Sequence, residues 1–359
     1  MIVTKAVILA HTGSPDPGVR GAAGSQLGGR LPSAAFLSLA NRSLLRHALE
    51  WLATAGIRAV VVVVPEGMVY EGRRAAGPSL PDIAVDWIEQ LPSEPLTDTL
   101  TAVAGFLEHE PFVLHLADSL AKEDLRALIS DRFVEELDAL ILVHEEAAPE
   151  RDGVIDFCGR RERGNPRLRL RRAAAGVAVL GTGALEATAA LDNPRGGGPE
   201  RLADVLIESG RTVHTCCVRE WWRFKGGARA LLEGNRFALE QLRPDCGSAR
   251  VVDSDIQGAV VAHATARIES STVRGPAIIG RGAHVREAYV GPYTSIDERV
   301  LIEGAEIEHS VVLAGASIMH LGGRLEASVV GRDARIFRDF RLPRALRLQV
   351  GEGANISLA

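Results

Sequence analysis

One acidic residue, Asp118, follows a short apolar run in a way that could support metal chemistry. The run FVLHL ends at Leu116, and Asp118 comes two residues later within LADSL. In open α/β sheets ligands bind at the carboxyl ends of strands, and an aspartate at such a position can hold Mg²⁺. A carboxylate in an exposed loop is the alternative interpretation.

Basic side chains concentrate in one stretch, RRERGNPRLRLRR, at residues 160–172. This stretch is interpreted as a solvated loop and strand, with phosphate binding as the alternative. The chain as a whole has a formal net charge of -5 and a pI near 6.1. We therefore expect neither a nucleic acid nor an anionic membrane as a partner, because both require a clustered basic face.

The cysteines and the N-terminal residues favour a cytoplasmic protein. Cys158, Cys216, Cys217 and Cys246 are too few and too irregularly spaced for a disulfide framework or a zinc site. The opening MIVTKAVILAHTG lacks the layout of a signal peptide, and no segment reaches membrane-spanning length.

The elements that would position these residues alternate between strands and helices. Val3–Ala10 is predicted as a buried strand, Leu44–Ala55 as a helix capped by Gly56, and Val60–Val64 as a strand covered on both faces. The alternation continues with helices at Asp98–Glu108 and Asp124–Leu137 and strands at Pro111–Leu116 and Ala139–Val143. This order predicts a doubly wound α/β domain with a parallel sheet, over residues 1–243.

A different periodicity begins after Pro244. Aliphatic residues recur six apart, in the pairs Ile279/Val285, Val290/Ile296, Ile296/Ile302, Val312/Ile318 and Val330/Ile336. Such a hexad predicts a triangular parallel β-helix of about five coils over residues 250–340, followed by a tail at 341–359. An antiparallel sandwich of short strands is the alternative.

Several segments together resemble the sugar nucleotidylyltransferases, and in particular long-form glucose-1-phosphate thymidylyltransferases. The similar segments are ANRSLLRHALEWLATAGIRAVVVVVPEG, FVLHLADSL, PERDGVIDF, REWWRFKGGARALLEGNRFALEQL and GPAIIGRGAHVREAYVGPYTSIDERVLIEGAEIEHSVVL. The resemblance spans nearly the whole chain. It implies a Rossmann-like nucleotidylyltransferase domain followed by a left-handed β-helix, and a reaction in which a phosphorylated sugar attacks a nucleoside triphosphate and releases pyrophosphate.

The resemblance also implies roles for individual residues. Ala10, His11 and Gly13 correspond to the start of the nucleotide-binding loop, and Gln90 corresponds to a glutamine that contacts the base. Asp118 corresponds to a ligand of Mg²⁺, the implied cofactor. Gly153 corresponds to a sugar contact.

The chain differs from the family at positions where the family has positively charged residues. Asp16 stands at the position of the loop arginine, and Ser33 and Ala34 stand at the positions of a Pro-Lys pair. Arg20 and Arg30, in the same loop, are the candidates to supply the missing catalytic cations.

The other differences affect the expected contacts with the base, the sugar and the metal ion. Thr97 occupies a glycine position near the base, and Gly164-Asn165-Pro166 replaces a Glu-Lys-Pro motif. After Trp221 and Trp222, where the family has a second metal-binding aspartate, this chain has Arg223, Phe224 and Lys225.

Two hypotheses follow. The first is a nucleotidylyltransferase rebuilt for an unusual sugar or cyclitol (carbasugar) phosphate, with Lys225 as a further substitute cation. The second is an inactive homologue that senses ligands or acts as a scaffold. In either case the β-helix predicts a homo-oligomer.

Overall fold

The computed structural model describes residues 3–10, 33–91, 96–132, 138–147, 170–184, 202 and 206–340. The described residues form two compact units. The first contains residues 3–10, 33–36 and 43–223, and the second contains residues 37–42 and 224–340. None of the helices in these ranges is long and apolar enough to cross a membrane.

A seven-stranded mixed sheet forms the centre of the first unit. In chain order, the strands up to residue 223 are β1 (Lys5–Leu9), β2 (Ser38–Leu39), β3 (Arg42–Ser43), β4 (Ala59–Pro65), β5 (Ala84–Gln90), β6 (Phe112–Leu116), β7 (Ser119–Ala121), β8 (Ala139–Ala147), β9 (Leu170–Leu180), β10 (Val213–Val218) and β11 (Trp221–Arg223). The sheet order is β10-β8-β9-β6-β1-β4-β5, while β7 and β11 form a separate antiparallel pair.

Helices connect the parallel strands. They are α1 (Leu44–Thr54), α2 (Val69–Ala76), α3 (Leu96–Leu107) and α4 (Leu125–Arg132), preceded by a 3₁₀ turn at Ala34–Phe36. In α1, the Ser43 hydroxyl accepts a hydrogen bond from Arg46 N at 2.9 Å, which caps the first turn. Gly56 follows the helix with φ +90, as expected for a residue beyond a C-cap.

The apolar runs form buried strands because helices cover both faces of the sheet. In β4, Val60, Val62 and Val64 pack into one core cluster, and Val61 and Val63 pack into another. The predicted strands and helices of this unit are confirmed within the described residues. The predicted doubly wound α/β fold is confirmed, and the sheet also contains one strand, β9, that runs antiparallel to β6 and β8.

The second unit contains a left-handed parallel β-helix with three faces. Its strands, in chain order, are β12 (Arg250–Val252), β13 (Asp255–Gln257), β14 (Val260–Ala262), β15 (Arg267–Glu269), β16 (Thr272–Arg274), β17 (Ala277–Ile279), β18 (His284–Arg286), β19 (Tyr289–Val290), β20 (Thr294–Ile296), β21 (Leu301–Glu303), β22 (Glu306–Glu308), β23 (Val311–Val312), β24 (Ser317–Met319), β25 (Arg324–Glu326), β26 (Val329–Val330) and β27 (Arg335–Phe337). They form sheets of six, five and five strands. The described pairs between these strands are parallel, so the antiparallel sandwich is wrong.

The hexad residues form the interior of this solenoid. Ile279, Val285, Ile296 and Ile302 are at most 1% exposed, within one continuous apolar cluster. One corner of the coil recurs at Asp253, Ser270, Glu287 and Gly304, all in the left-handed region of φ. The hexad therefore identified the buried positions correctly.

Helix α5 (Gly227–Leu239) also belongs to the second unit. Its fully buried Asn235 accepts hydrogen bonds through Oδ1 from Ala40 N at 3.0 Å and from Ser295 Oγ at 2.6 Å. Its Nδ2 donates to Tyr293 O at 3.1 Å, and Asn41 Nδ2 donates to Ile296 O at 2.7 Å. These contacts fasten the segment before α1 and helix α5 to the same coils.

Candidate functional site

Three of the residues singled out in the sequence lie along one edge of the central sheet. Ala10 follows β1, Asp118 lies two residues after β6, and Gln90 ends β5. Ala10 N donates to Val63 O at 2.8 Å, and Ala117 N donates to Leu9 O at 3.1 Å. Chain connections reverse direction between β1 and β6, so this edge is the topological switch point where open α/β sheets bind ligands.

Ser33 is linked to the end of β1. Its hydroxyl donates a hydrogen bond to Ala10 O. The same oxygen accepts from Ala35 N at 3.2 Å, which caps the 3₁₀ turn. A serine that contacts the end of β1 therefore occupies the position where the family resemblance led us to expect a proline.

Gln90 is held in a defined orientation. Its side chain is buried, and its Oε1 accepts a hydrogen bond from the Thr99 hydroxyl on α3. The carboxamide nitrogen is thereby directed away from Thr99. Thr97, at the position where the resemblance implied a glycine, is the second residue of α3.

Asp118 forms an ion pair that the sequence did not predict. Strands β7 and β11 are antiparallel with Arg223 opposite Ser119, which brings Arg223 beside the preceding residue. The Arg223 Nε lies 3.1 Å from Asp118 Oδ2, with side-chain exposures of 27% and 9%. A cation is thus in contact with the carboxylate that was expected to bind Mg²⁺.

Strand β9 contacts β7 and β11, the two strands beside this ion pair. Trp221 Nε1 donates to Ala175 O at 2.7 Å, and the Trp221 ring packs 4.7 Å from the His144 ring. Gly176 has φ +77, and a Cβ there would lie 3.1 Å from Ser119 Oγ. A glycine is required at this position both by its conformation and by the close approach of β7.

A buried histidine lies three residues before Asp118. His115, in the middle of the β6 run, is 1% exposed, and burial lowers the pKa of its imidazole to about 4. Its ring meets the edge of Trp51 at 5.7 Å between centroids. His115 is therefore neutral at physiological pH and adds no positive charge to the edge.

The remaining predicted site residues lie outside the described ranges. These are His11, Gly13, Arg20, Arg30 and Gly153. Among the residues that the structure does describe, no group of three or more His, Cys, Asp or Glu side chains could hold a metal ion.

Sequence reasoning missed Arg223, Ser33 and Gly176 as parts of this site. Arg223 was noted only as one of three residues following the expected pattern of two tryptophans. No local signal in the sequence pairs WWR with SLA, so the register that places Arg223 level with Ser119 is known only from the structure.

Comparison with known proteins agrees with the resemblance seen in the sequence. No protein-family model matches the chain. A glucose-1-phosphate thymidylyltransferase from Streptomyces griseus is 29% identical over 340 residues, and one from Streptomyces antibioticus is 28% identical over 334 residues. The low-salt glycan biosynthesis nucleotidyltransferase Agl11 of Haloferax volcanii is 28% identical over 344 residues.

Each of these alignments covers 90% of this chain and 93% of the relative. A solved structure of a Bacillus anthracis protein assigned as a glucose-1-phosphate thymidylyltransferase, in complex with a sucrose, superposes with a TM-score of 0.53 at 15% identity. That superposition covers 67% of this chain and 97% of the other, and it establishes a shared fold.

Proposed function

We propose that this chain, whose similarity to curated nucleotidyltransferases extends over 90% of its length, is itself a nucleotidylyltransferase. It joins a sugar 1-phosphate or a cyclitol phosphate to a nucleoside triphosphate. An oxygen of the acceptor phosphate attacks the α-phosphorus, the bond from the α-phosphorus to the bridging oxygen breaks, and pyrophosphate leaves. The observation that carries this proposal is the placement of Ala10, Gln90 and Asp118 on one edge at the switch point of the sheet.

The protein's task in such a reaction is to bring two polyanions together and to offset their charge. In our proposal the backbone at Ala10, His11 and Gly13 approaches the phosphates, and the Gln90 carboxamide contacts the base. Arg20 and Arg30 supply positive charge to the leaving pyrophosphate, and Gly153 lies against the acceptor. The Thr99 hydrogen bond supports this role for Gln90, because it restricts which end of the amide can face a ligand.

Mg²⁺ enters this proposal as part of the substrate. The ion neutralises charge on the phosphates, and phosphate oxygens supply most of its ligands. Asp118 is the carboxylate at this edge that can face a metal–triphosphate complex, but its Oδ2 is already paired with Arg223.

The inactive-homologue hypothesis is less well supported. Three curated relatives that each align over 90% of this chain carry transferase names, whereas the inactive alternative rests on charges missing from motifs.

A pyrophosphate-release assay tests the proposed reaction. The common nucleoside triphosphates would be combined with a panel of sugar 1-phosphates and cyclitol phosphates, with and without Mg²⁺. We expect turnover with at least one pair, and a loss of at least tenfold in Asp118→Ala. The matched control is Asp82→Ala, an exposed aspartate just before β5 that pairs with Arg58 at 3.7 Å. Absence of turnover with every pair, together with no triphosphate binding at millimolar concentration, would refute the proposal.

Three broader expectations remain proposals. They are the division into domains at 1–243 and 250–340 with a tail at 341–359, a cytoplasmic location, and assembly into a homo-oligomer through the β-helix. Light scattering on the purified protein tests the last of these, since a monomer would contradict it.

A further inference from the structure

We infer that Glu123 is a positioning residue for the candidate site, which acts through strand β11 and the arginine at its end. The inference rests on the proposed function, in which Asp118 faces the metal–triphosphate complex. Arg223 Nε lies 3.1 Å from Asp118 Oδ2 because β11 runs in register with β7, the strand that follows Asp118. Whatever holds β11 in that register therefore also sets the surroundings of Asp118.

The ladder between β7 and β11 is too short to fix its own register. It contains three antiparallel residue pairs and is separate from the seven-stranded sheet. A two-stranded ladder of this size is at most marginally stable in water. Contacts outside the ladder must therefore hold β11, and one of them is the hydrogen bond from Trp221 Nε1 to Ala175 O at 2.7 Å.

Glu123 provides a second contact, at the bend where the chain enters β11. Arg219 and Glu220 connect β10 to β11. The backbone N–H groups of both residues donate to Glu123 Oε1, the second over 2.8 Å. The neighbouring Lys122 N donates to Glu220 O at 3.1 Å. Hydrogen bonds accepted by a carboxylate are stronger than those between neutral groups, so Glu123 fixes the point from which β11 starts.

The backbone of Glu123 is itself anchored. Trp51 Nε1, on α1, donates to Glu123 O at 2.8 Å. The side chain bonds to the bend through Oε1, whereas Oε2 makes no hydrogen bond within the described residues. One oxygen therefore carries the contact, so a glutamine, which has one carboxamide oxygen, can replace the carboxylate.

The next residue in the chain offers a matched control. Asp124 Oδ1 also accepts two backbone N–H groups, from Arg126 at 2.9 Å and from Ala127 at 3.2 Å, at the start of α4. The variants Glu123→Ala and Asp124→Ala thus remove the same type of contact from adjacent residues, at β11 and at α4 respectively. Both should lower Tm, by about 2–4 °C.

Fluorine NMR of the full chain labelled with 5-fluorotryptophan tests the inference without any need for turnover. Trp221 and Trp222 lie on β11, and Trp87 lies on β5. We expect Glu123→Ala to shift or broaden the signals of Trp221 and Trp222 and to leave that of Trp87 unchanged. Asp124→Ala should leave all three unchanged, and Glu123→Gln should restore the wild-type signals of β11.

Kinetic constants then separate positioning from stability. Measured well below the Tm of every variant, kcat should fall about fivefold in Glu123→Ala and stay within about twofold in Asp124→Ala. Because Glu123 acts through Arg223, its loss should not add to that of Arg223→Met. The double variant should therefore be about as slow as Arg223→Met alone.

Two outcomes would overturn the inference. One is a folded Glu123→Ala variant with unchanged signals from Trp221 and Trp222, and the other is a double variant in which the losses of kcat add in full. If Glu123→Ala does not fold, Glu123→Asp takes its place, because its carboxylate is one methylene group shorter and does not reach the bend. Absence of turnover in wild type would refute the proposed reaction, whereas the fluorine signals would still test whether Glu123 holds β11.

Discussion

Ion pairs occur both at the sheet edge and on the β-helix, but they differ in burial and in redundancy. On the β-helix, Arg286 Nη2 contacts Glu303, and Glu269 contacts both Arg250 and His284. These partners come from adjacent coils, and a neighbouring side chain can take over when one is lost. The Arg223–Asp118 pair joins positions 105 residues apart, and its carboxylate is nearly buried. Ion pairs are thus exposed to solvent on the β-helix and nearly buried at the sheet edge.

Removal of the arginine from each region should produce the largest contrast. We expect Arg223→Met to lower the free energy of unfolding by about 3 kcal/mol, because it removes an ion-pair partner of a nearly buried carboxylate. Arg286→Met, on the exposed ladder, should produce no measurable loss. Urea unfolding of both variants measures the difference. Equal small losses would show that Asp118 is solvated well enough to do without its partner.

The two regions also differ in how far the sequence could predict them. The hexads of the β-helix repeat every coil, so Ile279, Val285 and Ile296 could be assigned to the interior from spacing alone. The end of the strand before Asp118 could be located because an apolar run marks it, whereas β5 has no such run and Gln90 was assigned only through the family resemblance. The contacts of Arg223, Ser33 and Thr99 could not be predicted, because they depend on register and on chain reversals that no local pattern specifies.

The pH dependence of stability offers a second test, at the buried residue His115. Its native pKa of about 4 lies below its ordinary value of 6.5, so the unfolded chain binds the extra proton first as the pH falls. The contribution of His115 to the free energy of unfolding should therefore be complete above pH 6.5. It should decline towards pH 4, by no more than about 3 kcal/mol. The variant His115→Leu should flatten that decline. His263→Leu, at an exposed position of the β-helix, should leave it intact in urea titrations at several pH values.

Substitution of Gly176 tests how closely β9 packs against β7, the strand that follows Asp118. We expect Gly176→Ala to cost about 2 kcal/mol and to lower turnover, since a side chain there combines a left-handed φ with a push against Ser119 Oγ. Gly210→Ala is the matched control, because Gly210 has φ +72 and open space around its Cβ position. The control should show the conformational cost alone. If the two variants lose equal stability and keep equal activity, the close approach of β7 has no effect on the site.

The smallest effect is expected at Thr99, on helix α3, which contacts Gln90. The variant Thr99→Val keeps the side-chain volume but removes the hydroxyl that donates to the buried Gln90 Oε1, at a cost of about 1 kcal/mol. Because the amide would then turn freely, we expect KM for the nucleoside triphosphate to rise several-fold while kcat stays within about twofold. Thr101→Val, two residues onward on the same helix, removes an exposed hydroxyl that donates to Thr97 O at 2.8 Å and should alter neither constant. A loss of kcat with unchanged KM would instead mean that Gln90 acts on the reacting phosphates, and its assignment to the base would have to be abandoned.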